Sequence, residues 1–353
     1  MTDPRWTSLY ERFEALMAEA PKMRARDAAA RLEVSEAELV AAKSVPGRAR
    51  ALRRDPERGF APLLEAMPEV GEVMVLTRND HAVHERHGVW GHVRVGATMG
   101  IVANHTIDLR LFMTHWATGF AVEEEVASGL RLSLQFFDGA GQAVHKIYAT
   151  QATNRTVLDG LIERWAGPMP DLAITPPAEA PPDRPDAAIN VPRLRKAWLE
   201  MQDTHQFFGL LKQNSVGRKQ ALRLVGEDLA FQAEGTAVTQ MLHGAAASQT
   251  PIMVFVRNPG CIQIHTGPVE RIAPMGPWIN VLDPAFNLHL RTDRVAETWI
   301  VRKPTKDGIV TSLEVFDADG DCFAMFFGAR KPGQTERTAW RDVLETAVLE
   351  GAA

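Results

Sequence analysis

The chain repeats itself, and this repeat limits the folds that it can adopt. Residues of the first half recur in the second half at two fixed offsets. Near the start of each copy the offset is 192, which pairs Trp6 with Trp198. Further along it is 179, which pairs Gly88 with Gly267 and holds without a gap over about eighty residues. This period is far above the roughly 20 to 50 residues of stacked repeats, so the pattern predicts two copies of one globular unit.

Each copy begins with helical periodicity and continues with strand periodicity. In the first copy we predict helices over residues 6–17 and 26–42, with Ser35 and Glu38 in the spacing of a capping box. From Gly71 the alternation has period two, in short β-rich runs such as GEVMVLTRN and LRLSLQFFD. The predicted fold class is α+β, a tandem duplication of a unit whose N-terminal helices are followed by a large antiparallel β-sheet.

A proline-rich segment separates the copies. Residues 166–192 hold eight of the 22 prolines and too few apolar residues for a core, which is typical of a semi-rigid, exposed linker. The predicted division is therefore a first α+β repeat over residues 1–165, the linker, and a second repeat over residues 193–353.

The two offsets differ by 13 residues, so the first copy must contain an insertion. The arginine-rich stretch from Gly47 to Gly59 has no recognisable counterpart and about this length. We predict that it is the insertion, formed by a loop and a solvated helical face. A patch for an anionic partner is the alternative interpretation.

Composition excludes several classes of protein. With 353 residues, of which 45% are apolar and 24% charged, the chain can form two soluble domains with cores. The N-terminus has no basic region followed by an apolar run, and no segment approaches eighteen apolar residues, so we expect neither export nor membrane insertion. Two cysteines are typical of a reducing compartment, here the cytoplasm. A net charge of −5 argues against a nucleic-acid partner.

The common catalytic and cofactor motifs do not occur in the sequence. It has no P-loop, no G-x-G-x-x-G, no G-x-S-x-G, no C-x-x-C and no H-E-x-x-H. Four histidines lie close together at His81, His84, His87 and His92. On a strand His81 and His87 share one face while His84 points to the other, so ordinary strand histidines are favoured over a zinc site.

The second copy carries one histidine where an apolar residue is expected. We predict one helix over residues 193–214, with a buried stripe at helical spacing. The members of the stripe are Leu194, Trp198, Met201, His205 and Phe208. His205 is therefore predicted to point inward, and its counterpart in the first copy is Phe13. Polar residues that occur in one copy only are candidates for a site, and residues alike in both copies are assigned to the scaffold. By this rule the matching pair Arg26 and Arg218 belongs to the scaffold.

Cations are also concentrated in the second copy. Arg302 and Lys303 stand where the first copy has Glu123 and Glu124, and Arg330 stands where it has Gln151. A buried neutral imidazole with cations nearby suits haem, which combines iron, an apolar macrocycle and two propionates. A core histidine bonded to a backbone carbonyl is the alternative interpretation of His205.

Three stretches of the sequence resemble the bacterial haemin-degrading factor family, the HemS/HmuS-type cytoplasmic haem-utilisation proteins. They are DTHQFFGLLKQN, IDLRLFMTHWA and WIVRKPTKDGIVTSLEVFDADG. The resemblance implies haem bound between a helix and the sheet of the second half, with the iron ligated by His205. It also implies a set of pocket cations, Arg110, Arg218, Lys303 and Arg330, of which Arg110 would approach the distal side from the first half. The chain departs from the family where a glutamine and a tyrosine are expected, because it has Met325 and Phe327.

The resemblance also implies a function. The chain is expected to be a cytoplasmic haem-binding protein that accepts imported haem and stores it or passes it on. The alternative is a haem-degrading enzyme that opens the macrocycle and releases iron. The expected partners are the inner-membrane haem importer and a downstream haem acceptor. If His205 is not the iron ligand, His84 is the next candidate.

Overall fold

The computed structural model describes residues 3–126, 129–177, 181–331 and 333–351. The helices in these residues are α1 (Pro4–Glu19), α2 (Ala25–Arg31), α3 (Glu36–Ala42), α4 (Ala61–Glu65), α5 (Arg155–Trp165), α6 (Val191–Leu199), α7 (Gln206–Asn214), α8 (Arg218–Leu224), α9 (Ala237–Ala247) and α10 (Thr338–Gly351). The strands of the first copy are β1 (Ala49–Ala51), β2 (Gly71–Arg78), β3 (Ala82–Val89), β4 (Arg94–Val95), β5 (Met99–Ala103), β6 (Asp108–Phe112), β7 (Thr118–Val126), β8 (Gly129–Phe137) and β9 (Ala143–Thr153). Those of the second copy are β10 (Ala230–Ala233), β11 (Ile252–Asn258), β12 (Cys261–Gly267), β13 (Ile272–Met275), β14 (Trp278–Leu282), β15 (Phe286–Arg291), β16 (Glu297–Thr305), β17 (Gly308–Phe316) and β18 (Cys322–Gly328).

The chain forms two compact units, and each of them includes a short segment of the other copy. Unit 1 consists of Met1–Arg78, His84–Ala178 and Arg257–Gln263. Unit 2 consists of Asn79–Val83, Glu179–Val256 and Ile264–Ala353. The division of the sequence into repeats at residues 1–165 and 193–353 stays a prediction.

Unit 1 is built on an antiparallel sheet with a core on each face. Its strands are ordered β1-β7-β8-β9-β2-β3, and β4, β5 and β6 form a second antiparallel set. One face packs against α4 and α5 through residues such as Val75 and Phe136. The other face packs against α1, α2 and α3 through residues such as Phe120 and Phe137. The predicted α+β fold is confirmed for this copy.

The segment that unit 1 takes from the second copy is held by hydrogen bonds. The Asn258 side-chain amide donates to the backbone carbonyl oxygens of Arg78, at 2.9 Å, and of Val144, at 2.8 Å. The indole N–H of Trp116 donates to the Gly260 carbonyl oxygen at 2.9 Å. Residues 257–263 are therefore an integral part of unit 1.

Unit 2 repeats this architecture. Its main strands are ordered β10-β16-β17-β18-β11-β12, with a second antiparallel set formed by β13, β14 and β15. One face packs against α9 and α10 through residues such as Leu313 and Phe326. The other face packs against α6, α7 and α8 through residues such as Val301 and Phe316. The predicted tandem duplication is therefore confirmed.

The arginine-rich stretch from Gly47 to Gly59 is not the insertion, and that prediction is wrong. It contains β1, where Ala49 pairs with Val122 of β7. In the second copy, Ala230 of β10 pairs with Val301 of β16 in the same way. Because Val122 and Val301 are equivalent at offset 179, β1 and β10 are equivalent strands.

The extra residues of the first copy form helix α3 instead. The offset is 192 at Leu32 and 181 at Ala49, so eleven of the thirteen extra residues lie between these positions. The predicted capping box of this helix is confirmed, because the Ser35 hydroxyl accepts from the Glu38 N–H and the Glu38 carboxylate accepts from the Ser35 N–H. In the second copy, α8 is followed directly by β10, with no helix between them.

The proline-rich segment is largely exposed in its described part, residues 166–177 and 181–192. Leu172 is an exception, since it is buried in the core beneath α1, α2 and α3. Among the described residues, no helix is long and apolar enough to cross a membrane.

Candidate functional site

His205 does not lie on a buried stripe, and the prediction that it points inward is wrong. The predicted helix is two helices, since α6 ends at Leu199 and α7 begins at Gln206. The Gln206 side-chain oxygen accepts the backbone N–H groups of Gln202, at 2.8 Å, and Asp203, at 3.3 Å, which stabilises the break. His205 precedes α7 with its side chain 87% exposed.

The break also changes which aromatic ring is buried. Phe208 is 77% exposed, although the stripe predicted it in the core. Phe207 is buried instead and packs edge-on against Trp198, with ring centroids 4.7 Å apart. Leu194, Trp198 and Met201 are buried, as predicted.

Asp203 orients the exposed imidazole. Its carboxylate lies 2.6 Å from Nδ1 of His205 and accepts the His205 backbone N–H at 2.8 Å. These two hydrogen bonds hold the pKa of Asp203 below its usual value. Because Nδ1 is held by the carboxylate, Nε2 is the ring nitrogen available for a metal. The D-x-H spacing in DTHQ is the sequence signal for this pair, and sequence reasoning missed it.

A largely buried group of charges, the charge triad, lies between α8 and the sheet of unit 2. It consists of Arg218, Lys303 and Glu314. The fully buried Glu314 carboxylate accepts from the Arg218 guanidinium at 2.7 and 2.8 Å and from Lys303 Nζ at 2.6 Å. It also accepts from the Ser312 hydroxyl at 3.0 Å. Every oxygen of this carboxylate is therefore satisfied by a charge-assisted bond.

Burial and the neighbouring charges shift the pKa values within the triad in opposite directions. Burial alone would raise the pKa of Glu314, but Arg218 and Lys303 hold it well below its usual range. Burial lowers the pKa of Lys303, and Glu314 acts against that shift. Both cations also face aromatic rings, since the Arg218 guanidinium lies 5.0 Å and Lys303 Nζ 4.8 Å from the Phe207 ring centroid. Such contacts favour a protonated cation in a partly desolvated place.

Four half-buried apolar side chains, the apolar floor, extend from the triad across two strands. They are Met253, Phe255, Met325 and Phe327. In register, Met325 lies beside Glu314 and Phe327 beside Ser312. The Met325 sulfur also lies 3.2 Å from an Arg218 nitrogen, so the floor and the triad are continuous. A flat apolar ligand with an anionic edge fits this combination of floor and cations.

The predicted pocket cation Arg330 follows β18. Its Nη1 atom lies 3.9 Å from the Asp307 carboxylate and 3.4 Å from the Gln334 carbonyl oxygen. Arg330 also contributes to lowering the pKa of Asp203, so its charge acts near His205. Unit 2 thus contains six of the predicted site residues. Met325 and Phe327 belong to the floor, Arg218 and Lys303 to the triad beside it, Arg330 follows β18, and His205 immediately precedes α7.

The equivalent face of unit 1 is closed by α3. Lys146 and Tyr148 stand where the floor has Met325 and Phe327, and both are buried. Glu36 of α3 is 4% exposed, forms an ion pair with Arg78 and lies 3.5 Å from Lys146 Nζ. The helix present in only one copy therefore covers the surface that the other copy leaves open.

Arg110 lies in unit 1, on β6. It is in register with Ile101 of β5, which is in register with Arg94 of β4. This row lines an open cavity of about 590 Å³. Arg110 forms an ion pair with Asp108 of the same strand.

His84 is a poor candidate for an iron ligand. It is fully buried, and its Nδ1 atom lies 2.7 Å from the Gln263 amide nitrogen. Among the described residues, no group of three or more His, Cys, Asp or Glu side chains is arranged to hold a metal ion.

Comparison with known proteins agrees with this arrangement. The family model of the haemin-degrading HemS/ChuX domain matches residues 33–165 and again residues 215–347. The hemin transport protein HmuS of Yersinia pestis is 43% identical over 351 residues, which cover 98% of this chain and 99% of the relative. The chain therefore belongs to the HemS/ChuX family and contains two copies of its domain.

Two solved structures share the fold of the whole chain. Holo-PhuS, a heme-binding protein from Pseudomonas aeruginosa, is 47% identical with a TM-score of 0.92, over 97% of this chain and 98% of that one. ChuS, described as a heme degrading enzyme of Escherichia coli O157:H7, is 37% identical with a TM-score of 0.89, over 96% of this chain and 98% of that one.

Proposed function

We propose that the protein binds haem through His205 in the second repeat, and that it accepts imported haem and stores it or passes it on. The observation that carries this proposal is the Asp203–His205 pair, which leaves Nε2 of an exposed imidazole available as an axial ligand. The half-buried apolar floor would contact the macrocycle, and the net positive charge of the triad would attract its carboxylates. When bound, haem would supply a redox-active iron.

The proposal includes a cytoplasmic location. There the protein would receive haem from the inner-membrane importer and deliver it to a downstream acceptor. The relative HmuS is named a hemin transport protein, which supports a role in haem handling.

Haem degradation is the second candidate function, because the relative ChuS is described as a heme degrading enzyme. A single experiment separates the two. The protein is titrated with haemin, and a reductant is then added under air with catalase present. A carrier keeps a stable reduced spectrum, whereas loss of the Soret band with a bile-pigment product identifies the enzyme.

We further propose that Arg110 acts on the side of the haem opposite to His205. A guanidinium there can hold a water or a bound diatomic ligand by a charge-assisted hydrogen bond, which the side chains of Met325 and Phe327 cannot provide. Arg110→Ala is expected to leave the affinity for ferric haem within about threefold of wild type, because a single charge in contact with solvent contributes little. It should change the pH dependence of the ferric spectrum and any aerobic degradation rate.

The matched control for this variant is Arg94→Ala, which removes the other arginine of the same row on β4, β5 and β6. It should leave the pH titration unchanged. Identical titrations and degradation rates for wild type and Arg110→Ala would instead support a structural ion pair with Asp108.

A further inference from the structure

The cations around the apolar floor are already paired with carboxylates of the protein. Glu314 binds both Arg218 and Lys303, and Asp307 lies 3.9 Å from Arg330. Three cations and two carboxylates leave a net charge of +1. Haem carries two propionates, so the net charge of these five side chains, the pocket wall, matches only one of them.

We propose that Glu314 determines which tetrapyrroles the pocket accepts, because it reduces the charge of the wall to that needed for a single ligand carboxylate. The inference rests on the proposed function. The second propionate would then stay solvated, and a tetrapyrrole with one free carboxylate would bind nearly as well as haem. The recognised ligand class is thus a flat metallated macrocycle with at least one carboxylate.

The comparison between copies supports a special role for Glu314. Its counterpart in the first copy is Gln135, which is neutral and donates to Ser133 at 3.0 Å. The serine is shared, since Ser133 corresponds to Ser312. The acid therefore occurs only in the copy whose sheet face is open, and a scaffold role common to both copies does not require it.

The position of Glu314 explains how it would act. It lies beside Met325 of the floor, fully buried, and the Lys303 amine that it binds lies 5.6 Å from the Phe327 ring centroid. A ligand carboxylate would meet the Arg218 guanidinium, whose side chain is 23% exposed. Lys303, whose side chain is only 3% exposed, would act on the ligand through its charge while it stays bound to Glu314. The positive charge that Glu314 neutralises is not available to a second ligand carboxylate. The Glu314 carboxylate also repels a ligand carboxylate, and this repulsion is strong in a low-dielectric environment.

Three ligands test the proposal in the wild-type protein, namely haemin, haemin monomethyl ester and haemin dimethyl ester. Affinities are measured by absorption titration at the Soret band. Losing the first carboxylate should weaken binding by less than about threefold, because it would be a solvated group. Losing the second should weaken it by about tenfold or more, the value of one charge-assisted bond.

The variant Glu314→Gln gives the triad a second net positive charge. In this variant the loss of the first carboxylate should also weaken binding, by about tenfold. The compensating double variant, Glu314→Gln with Lys303→Met, restores a net charge of +1 and should return the wild-type ratio of affinities. Because the second substitution also removes a cation that Glu314→Gln leaves unpaired, recovered stability alone does not distinguish a structural role, and the ratio of ester affinities is the deciding measurement. Circular dichroism and thermal melts are recorded for each variant to compare their folds.

The outcomes separate a failure of this inference from a failure of the proposed function. Equal losses at the two esterification steps in wild type would overturn the inference, and so would an unchanged ratio in Glu314→Gln or a double variant that behaves like the single one. If the wild-type protein binds neither haemin nor its esters, the proposed function fails and the inference fails with it.

Discussion

His205→Ala is expected to remove the histidine-ligated absorption spectrum of the haemin complex and to weaken haemin binding by more than about 100-fold. Changing an outer partner of a metal ligand typically costs about 10- to 100-fold, and removal of the ligand itself should cost more. The fold should survive, because the side chain is 87% exposed and outside the core. The measurements are the Soret position, the haemin affinity and the thermal midpoint of the apoprotein.

Asp203→Asn is the matched control, since it keeps the imidazole and removes only the charge that orients it. It should retain a histidine-ligated spectrum with an affinity reduced by about 10- to 100-fold. A wild-type Soret position and affinity in His205→Ala would show that another residue ligates the iron. His84 would then be tested next, although its complete burial argues against it.

Glu36→Ala should lower the free energy of unfolding by about 3–5 kcal/mol, the usual cost of removing one partner from a buried ion pair. The substitution leaves Arg78 and the buried Lys146 without the carboxylate that they share. Haemin affinity should not change, because Glu36 belongs to the copy whose face is closed. Urea unfolding of the apoprotein measures the loss.

Glu163→Ala is the control for this experiment. Glu163 also pairs with an arginine, Arg50 at 2.6 Å, but the glutamate side chain is 69% exposed. An exposed pair of this kind contributes roughly 0–1 kcal/mol. Equal stability losses in the two variants would contradict the view that α3 is fastened by buried charge.

The effect of Glu36→Ala should depend on pH in a defined direction. Burial alone would raise the pKa of Glu36, but Lys146 and Arg78 lower it below its usual value. A carboxyl group with a lowered pKa in the folded state stabilises the protein at pH values above its unfolded pKa of about 4.3. That contribution is lost as the pH falls through the lowered value. The stability difference between wild type and variant should therefore be full at neutral pH and shrink in acid.

Much of the fold could be predicted from the sequence, because its signals are local or repeated. The capping box from Ser35 to Glu38 is a contact between near neighbours, and the strands follow from alternation with period two. The offsets between the copies also revealed that the first copy is longer. They did not locate the insertion, because the pairing of Ala49 with Val122 is a long-range contact that the sequence does not report.

The site was harder to predict, since it depends on side chains that are distant in sequence. Helical periodicity placed His205 on a buried stripe, but the helix breaks after Leu199, where the Gln206 side-chain oxygen accepts the Gln202 backbone N–H. Glu314 was missed because a carboxylate alternating with apolar residues on a strand resembles a solvated position. Its burial depends on Arg218, which lies 96 residues away. The comparison between the copies singled out Lys303 and Arg330, and only the family resemblance added Arg218 to the predicted site.

The interleaving of the units has a consequence for synthesis on the ribosome. Unit 1 includes Arg257–Gln263, and Asn258 in that segment binds the carbonyl oxygens of Arg78 and Val144. A nascent chain that has passed the proline-rich segment therefore still lacks part of its first unit. All of α6 to α9 is translated before this segment, since α9 ends at Ala247, and until then the two carbonyl oxygens lack their Asn258 partner. Domains of many proteins fold one after another as they emerge, but here the order of translation and the order of completion differ.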